Sequence, residues 1–333
     1  MPQPTRSDVH VNRPLTQISI AYIQRAQDFI ADKVFPIVPV LKQSDRYFVY
    51  DKSYWFSTQA RVRAPATESA GSGFNIDNTP TYFANVWAVH KDVDDQTRAN
   101  SDQPLDLDRD ATLFVTQQML LRREIEFANS YMTTGIWTGY VVGGVATDFQ
   151  PNVNGKGYWD SSTSNPMADV DYLKQAVKSQ TGFLPNTLIV ANDVFFALRN
   201  NATVLDRIKY TQRGVVSEEL LASLFGVEKF LVASVVQNTA NESAPPNPGT
   251  FSYLMVNNFL LCYANPAPSI LQPTGGYIFS WQGLFGAGAQ GNRIMQFRME
   301  QLKADRIEGE MAFSMKLVGS DLGVYGYNVL QTA

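Results

Sequence analysis

The stretch that decides the fold comprises residues 46–90 and has the sequence RYFVYDKSYWFSTQARVRAPATESAGSGFNIDNTPTYFANVWAVH. β-Branched and aromatic residues dominate its two ends, Arg46–Tyr50 and Thr81–Val89, and such residues are typical of β-strands. The middle part, Ala66–Pro80, is rich in Gly, Ser, Thr and Asn, which favour turns and loops. We therefore predict a long β-hairpin over residues 46–90, hereafter the extended loop.

The predicted reach of the extended loop is large for a compact chain. At about 3.3 Å per residue in each strand, the loop could extend roughly 60 Å. A compact chain of 333 residues has a radius of gyration of only about 20 Å. The loop must therefore either fold back over its own subunit or reach onto a neighbouring molecule.

Aromatic and arginine side chains in the extended loop are the candidate functional residues. Such residues are enriched at the centres of protein interfaces, so we expect them to contact a second subunit. Base stacking on single-stranded nucleic acid is an alternative, but it would require more Lys and Arg than Arg61 and Arg63 provide. The candidate interface residues are Tyr47, Tyr50, Trp55, Phe56, Arg61, Arg63, Tyr82 and Trp87.

Composition restricts the class of protein. With 44% hydrophobic residues the chain is expected to fold, and with 27 basic against 31 acidic residues its net charge is only −4. The absence of a Lys/Arg cluster argues against groove-reading nucleic-acid recognition, although not against a shell that merely encloses nucleic acid. The sequence has neither a signal-peptide core nor a long apolar run, so we expect a soluble intracellular protein without a membrane partner. The single cysteine, Cys262, excludes an intrachain disulfide and is expected to be buried.

Recognisable catalytic chemistry is missing from the sequence. Neither His10 nor His90 belongs to a catalytic or metal-binding motif. Residues 286–291 spell Gly-x-Gly-x-x-Gly, but the alternating pattern that follows predicts a strand where a dinucleotide site needs a helix. Asp106, Asp108 and Asp110 resemble a calcium loop without its glycine and glutamate, so we predict helix capping instead. We expect no enzyme activity, no cofactor and no metal.

Periodicity predicts the remaining elements. A polar arm precedes a helix at 16–32, and a long helix spans 105–132 with a predicted apolar face. From residue 168 helices and strands alternate, with helices at 169–179, 193–200 (capped by Asn192) and 218–225 (capped by Ser217). Strands are predicted at 187–191, 229–236 and 253–264, and period-2 patterns at 295–299 and 311–317 predict long strands with one buried face. The predicted apolar face of the long helix comprises Leu113, Phe114, Leu120, Leu121, Ile125, Ala128 and Met132.

The order of these elements resembles the major capsid proteins of tailed phages, the Hong Kong 97 type fold. Residues 45–50 (DRYFVY) and 64–68 (APATE) resemble the start of that family's extended loop. Residues 220–241 resemble a stretch of its capsomer-centre domain, and residues 318–325 (VGSDLGVY) resemble the terminal strand of its peripheral domain. The resemblance covers almost the whole chain.

The resemblance implies an α+β fold with a defined order of domains. We expect an N-terminal arm and first helix at 1–45, the extended loop at 46–90, and a peripheral domain at 91–167 whose spine helix is 105–132. An axial α/β domain at 168–291 and the C-terminal strands of the peripheral domain at 292–333 would follow. The implied function is self-assembly, through hexamers and pentamers, into the icosahedral head of a virion that encloses double-stranded DNA.

The same resemblance implies partners and a place of assembly. We expect assembly in the host cytoplasm with a separate scaffolding protein and a portal, with or without a decoration protein. The scaffolding partner is expected because only about fifteen residues precede the first predicted helix, whereas some relatives carry a scaffold-like segment there. Three alternatives remain: an encapsulin-like nanocompartment shell, an oxidoreductase that uses the glycine run, and another virion component such as a tail or decoration protein.

Overall fold

The computed structural model describes residues 24–101, 105–142, 158–209, 216–240, 249–267, 272–285 and 291–331. Its helices are α1 Ala31–Val34, α2 Lys52–Trp55, α3 Asp95–Ala99, α4 Leu107–Tyr131, α5 Pro166–Thr181, α6 Asn192–Asn200, α7 Ala202–Ile208, α8 Glu218–Phe225 and α9 Gln282–Phe285, with 3-10 turns at Ala26–Asp28 and Ser320–Leu322. Its strands are β1 Ile37–Val40, β2 Ser44–Arg46, β3 Val49–Tyr50, β4 Ile76–Asp77, β5 Thr81–Phe83, β6 Asn85–Asp94, β7 Gly139–Val142, β8 Thr187–Ala191, β9 Lys229–Ala233, β10 Val236–Asn238, β11 Phe251–Tyr253, β12 Asn258–Cys262, β13 Gly276–Trp281, β14 Asn292–Met299, β15 Ala304–Leu317 and β16 Gly323–Tyr327.

Strand β15 organises the first sheet, whose order is β1-β13-β15-β14. On one side β15 pairs first with β14 and then with β13, and on the other side it pairs with β6. The predicted period-2 pattern is borne out only in part: Met311, Phe313 and Met315 are buried, but so are Ala312 and Ser314 between them. Phe297, which was predicted on a buried face, is exposed. Phe297 belongs to β14, which lies at the edge of the sheet and, among the described residues, pairs with β15 alone.

The long helix α4 has 25 residues, close to its predicted range of 105–132. It packs on β15 and β6. The Asp106 carboxylate accepts a hydrogen bond from the amide of Arg109, which confirms the predicted cap. The predicted apolar face is right only in part: Met132 is buried, but Leu113 and Phe114 are exposed. The face toward the sheet instead comprises Ala111, Val115, Met119, Phe127 and Tyr131.

Close packing of α4 on the sheet depends on one glycine. A Cβ atom at Gly309 of β15 would lie 2.2 Å from Met119 Sδ and 2.5 Å from Val115 Cγ1. The missing side chain therefore lets the helix approach the strand more closely than any other residue would allow.

The second sheet has the order β7-β16-β12-β8-β9 and carries α5, α6 and α8. Strands β8 and β12 are buried along their whole length. Ser217 caps α8 as predicted, and β8 has the predicted bounds. Asn192 does not cap α6, because that helix begins at Asn192 and Ala191 occupies the capping position without a side-chain bond. Helix α7, which Asn201 caps, was not predicted.

The terminal strand lies in an unexpected sheet. We expected residues 318–325 at the end of the peripheral domain, but β16 pairs with β12 on one side and β7 on the other, in the middle of the second sheet. Its small residues permit this position, because a Cβ atom at Gly326 would lie 2.0 Å from the ring of Phe259. The assignment of the two sheets to peripheral and axial domains stays a prediction.

The first predicted helix is wrong over its described part. Residues 24–32 form a 3-10 turn and the start of the four-residue helix α1, not a continuous helix. The chain breaks there because Phe29 and Ile30 turn into the core, where the amides of Ile30 and Ala31 bond the buried side chain of Glu124. The rest of that predicted helix and the arm before it, which includes His10, lie outside the described residues.

Candidate subunit interface

The base of the extended loop is a short antiparallel ladder. Strand β2 pairs with β5, and β3 pairs with β4 further out. The predicted hairpin is therefore present, although its paired strands are shorter than the sequence suggests. The returning strand leaves the hairpin after Phe83, because β6 pairs with ten residues of β15 instead.

Two candidate residues anchor the loop to its own subunit. The ring of Tyr82 stacks on Phe279 of β13 with the centroids 4.5 Å apart, and Tyr82 is only 6% exposed. Tyr47 packs on the same ring at 5.5 Å. The Tyr82 hydroxyl also donates to the carbonyl oxygen of Lys42. These two side chains fix the loop where it leaves the first sheet.

Trp87 lies in the first sheet and not in the hairpin. It is opposite Met311 in the β6–β15 ladder, and the Arg122 guanidinium of α4 lies 3.9 Å from its ring centroid. This cation–π contact and partial burial give Trp87 a role in its own subunit.

The loop tip, residues 51–79, is exposed at every position. Trp55 is 57% and Phe56 62% exposed. Trp55, Phe74 and the partly buried Tyr50 form an aromatic cluster whose centroids are 5.6 to 6.3 Å apart. Arg61 and Arg63 are exposed as well, and Arg63 donates to the carbonyl oxygen of Thr67.

The first residues of the tip contact the rest of the subunit. Lys52 forms an ion pair with Asp321 of the second 3-10 turn, and the ring of Phe56 lies beside Gly182, which ends α5 in the left-handed conformation. The loop therefore leans on its own subunit at 52–56, and the remaining tip residues stay exposed.

Sequence reasoning did not single out several exposed apolar residues of this region. Exposed apolar side chains are expected where a surface binds a partner. Their apolar character within a predicted loop was the signal that could have identified them. They are Leu41, Phe48, Tyr54, Val62, Phe74 and Ile76.

An ion-pair network holds the opposite end of the first sheet. Arg98 reaches Asp108 and Asp305 with nitrogen–oxygen distances of 2.6 Å each, and Arg298 binds Asp95. The hydrogen bond from Arg98 holds the pKa of the Asp305 carboxyl below its usual range. Asp106 caps the helix as predicted, whereas Asp108 forms an ion pair with Arg98.

The remaining residues considered for catalysis or cofactor binding belong to regular elements of the fold or follow the glycine run. His90 lies in the β6–β15 ladder opposite Glu308. Cys262 is fully buried on β12, and burial raises the pKa of its thiol. After the glycine run, of which residues 286–290 lie outside the described part, β14 begins at Asn292 as predicted. Within the described ranges, no group of three His, Cys, Asp or Glu side chains could hold a metal ion, and no helix is long and apolar enough to cross a membrane.

Comparison with known proteins relates this architecture to viral shells. No family model matches the chain. A curated relative, the major capsid protein of Burkholderia phage BcepMu, is 21% identical over 321 residues, which are 94% of this chain and 94% of the relative.

Solved structures match the fold along nearly its whole length. A phage-related protein of Bordetella bronchiseptica is 20% identical, covers 93% of this chain and 95% of its own, and has a TM-score of 0.67. The capsid of Cyanophage P-SCSP1u, at 10% identity, covers 98% of both chains with a TM-score of 0.58. The SrpI encapsulin of Synechococcus elongatus, at 11% identity, covers 97% of both chains with a TM-score of 0.57. The resemblance predicted from the sequence is confirmed: the chain has the fold of the tailed-phage major capsid proteins.

Proposed function

We propose that this chain is a major capsid protein that assembles with copies of itself into the icosahedral head of a tailed phage. One observation carries the proposal: the match to a phage major capsid protein extends over 94% of both chains. The exposed loop tip supports the proposal independently. Trp55 and Phe56 are exposed in the single subunit, and exposed aromatic side chains of this kind are typical of a surface that becomes buried against a partner.

Burial of the loop tip on a neighbouring subunit would supply much of the association energy. An aromatic side chain that loses roughly 100 Å² of exposed surface contributes about 2.5 kcal/mol. Each subunit of a shell both presents a loop and receives one, so modest contacts add up by multivalency. Of the eight candidate interface residues, Trp55, Phe56, Arg61 and Arg63 have the exposure that this role needs.

The finer parts of the proposal concern partners and place. A scaffolding protein and a portal, with or without a decoration protein, would guide assembly in the host cytoplasm, and the shell would enclose double-stranded DNA. A net charge of −4 suits a wall that contains DNA without binding its sequence. The role is structural, and we infer no catalytic step.

Expression of the full chain, alone and with a scaffolding protein from the same genome, tests this function. We expect closed icosahedral particles in electron micrographs of the purified material. A chain that stays monomeric with each scaffolding protein tested would contradict the proposal.

An encapsulin-like nanocompartment is the second candidate, because the SrpI encapsulin shares the fold at almost the same TM-score as the cyanophage capsid. The contents of particles purified from the natural source separate the two functions. Nuclease-protected double-stranded DNA supports a phage head, whereas a co-purifying protein cargo without DNA supports a nanocompartment.

A further inference from the structure

Residues 24–36, hereafter the N-terminal strap, connect the two sheets. The Gln24 side chain bonds both backbone groups of Val236: its amide nitrogen donates to the carbonyl oxygen at 2.6 Å, and its oxygen accepts from the amide at 2.9 Å. The Lys229 ammonium donates to the carbonyl oxygen of Lys33. At the other end, the amide of Ile278 in the first sheet donates to the carbonyl oxygen of Pro36.

A buried carboxyl on α4 holds the middle of the strap. Glu124 is 1% exposed, and its Oε2 accepts hydrogen bonds from the amides of Ile30 and Ala31 at 3.1 and 3.0 Å. These are the first amides of α1, whose capping residue Ile30 offers no side-chain acceptor. Glu124 thus supplies, from another element, the acceptor that a capping side chain would normally provide.

The charged side chains near Glu124 are already bonded to other groups. Its neighbour Arg123 is paired with Asp32 of the strap at 2.6 Å and lies over the ring of Phe313 from β15. Lys33, also on the strap, donates to the carbonyl oxygen of Gln27. Within the described part of the chain, Glu124 Oε1 has no hydrogen-bond partner.

We propose that Glu124 is a proton-controlled clamp, which fixes the strap to α4 while its carboxyl is neutral and weakens that attachment when the carboxyl ionises. With the proton on Oε1, Oε2 still accepts both amide bonds and no charge is buried. Loss of the proton leaves a carboxylate in the core that Arg123, engaged by Asp32, neutralises only in part. Releasing the strap returns that charge to water.

The direction in which pH changes the clamp follows from the raised pKa of Glu124. Burial raises the pKa of Glu124 from 4.5 to about 7, against the opposing effect of the two amide bonds. The clamped state therefore holds a proton that the released state gives up, so clamping is strongest at low pH and is lost as the pH rises through 7. With these two pKa values, release becomes about tenfold more favourable between pH 6 and pH 8.

Amide hydrogen exchange of residues 30 and 31 in the full chain measures the clamp directly. After correction for intrinsic exchange rates, we expect wild-type protection to fall about tenfold from pH 6 to pH 8. Glu124→Gln, which keeps a carbonyl oxygen but cannot ionise, should show no such slope. Glu126→Gln, two residues further along α4 where the partly exposed Glu126 pairs with Arg122, is the matched control and should keep the wild-type slope.

Two results would overturn the proposal. One is pH-independent protection in the wild-type chain, which needs no variant and so does not depend on Glu124→Gln folding. The other is a slope that persists in Glu124→Gln. The measurement does not require shell formation, so its failure is distinct from a failure of the proposed function.

Discussion

Tyr131, the last residue of α4, joins three parts of the subunit. Its side chain is fully buried, and its hydroxyl donates to the carbonyl oxygen of Tyr277 in β13 at 2.9 Å. Its ring packs against Phe35 of the strap at 4.7 Å and against Phe127 at 5.2 Å. A Cβ atom at Gly276 of β13 would lie 2.7 Å from this ring, so the ring leaves no room for a side chain at that position.

Two substitutions of Tyr131 should distinguish the contribution of its hydroxyl to the free energy of unfolding from that of its ring. We expect Tyr131→Phe to lower the free energy of unfolding by about 1 kcal/mol, the value of one hydrogen bond. Tyr131→Ala also leaves a cavity and should cost about 3 to 5 kcal/mol. Denaturant unfolding of both variants gives the comparison, and equal losses would contradict this account of the ring.

Asp169 should make global stability depend on pH. Burial raises the pKa of its carboxyl to about 7, while the indole N–H of the buried Trp159 donates to it at 3.0 Å. A raised pKa means that this contribution to stability is present below about pH 4 and is lost as the pH rises through 7.

Asp169→Asn should therefore flatten the decline in unfolding free energy between pH 5 and pH 8. Denaturant unfolding at several pH values measures the decline. The same variant should leave the exchange slope at residues 30 and 31 unchanged, because Asp169 lies on α5, outside the strap. An undiminished decline in Asp169→Asn would show that another group controls it.

Among the elements, the extended loop differs most from its sequence prediction. The composition of residues 46–90 identified the hairpin, but it could not show that β6 prefers ten partners in β15 to a longer hairpin. Strand pairing over long separations depends on which edges meet in three dimensions, and local propensity does not report that. The same reason explains why β16 enters the second sheet.

Elements defined by local signals were predicted best. The range of α4, the cap of α8 and the bounds of β8 follow from periodicity and capping residues within each segment. The first helix failed because its end is set by Glu124, almost a hundred residues away, which bonds the amides of Ile30 and Ala31. The buried face of α4 was predicted only in part because the helix has apolar residues on two sides, of which Leu113 and Phe114 are exposed and Val115 and Met119 are buried.

The loop tip and the sheet should respond differently to alanine. Trp55→Ala and Phe56→Ala remove exposed rings, so we expect the unfolding free energy to stay within about 0.5 kcal/mol of wild type while assembly falls strongly. Trp87→Ala, which removes the partner of Arg122 in the sheet, should instead destabilise the subunit itself.

Thermal unfolding and particle yield, measured on the same three variants, check this contrast. Wild-type yields from Trp55→Ala and Phe56→Ala would contradict the assignment of the loop tip to an interface. Unchanged stability in Trp87→Ala would contradict the placement of that residue in the sheet.

For the whole molecule, fold and function rest on different observations. The order of elements along the sequence predicted the fold, and the structural matches confirm it over more than nine tenths of the chain. Phage capsids and an encapsulin share this fold, so the fold alone does not select the contents of a shell. The eight candidate interface residues fall into two groups that the sequence did not distinguish. The structure separates buried residues that anchor the loop, such as Tyr82, from exposed residues of the loop tip.

A cryo-electron microscopy reconstruction of assembled particles tests the central claim most directly. We predict an icosahedral shell in which residues 57–75 of each subunit lie on an adjacent subunit, with Trp55 and Phe56 buried between them. A reconstruction in which the loop tip packs only on its own subunit, or in which the particles are not closed shells, would contradict the account.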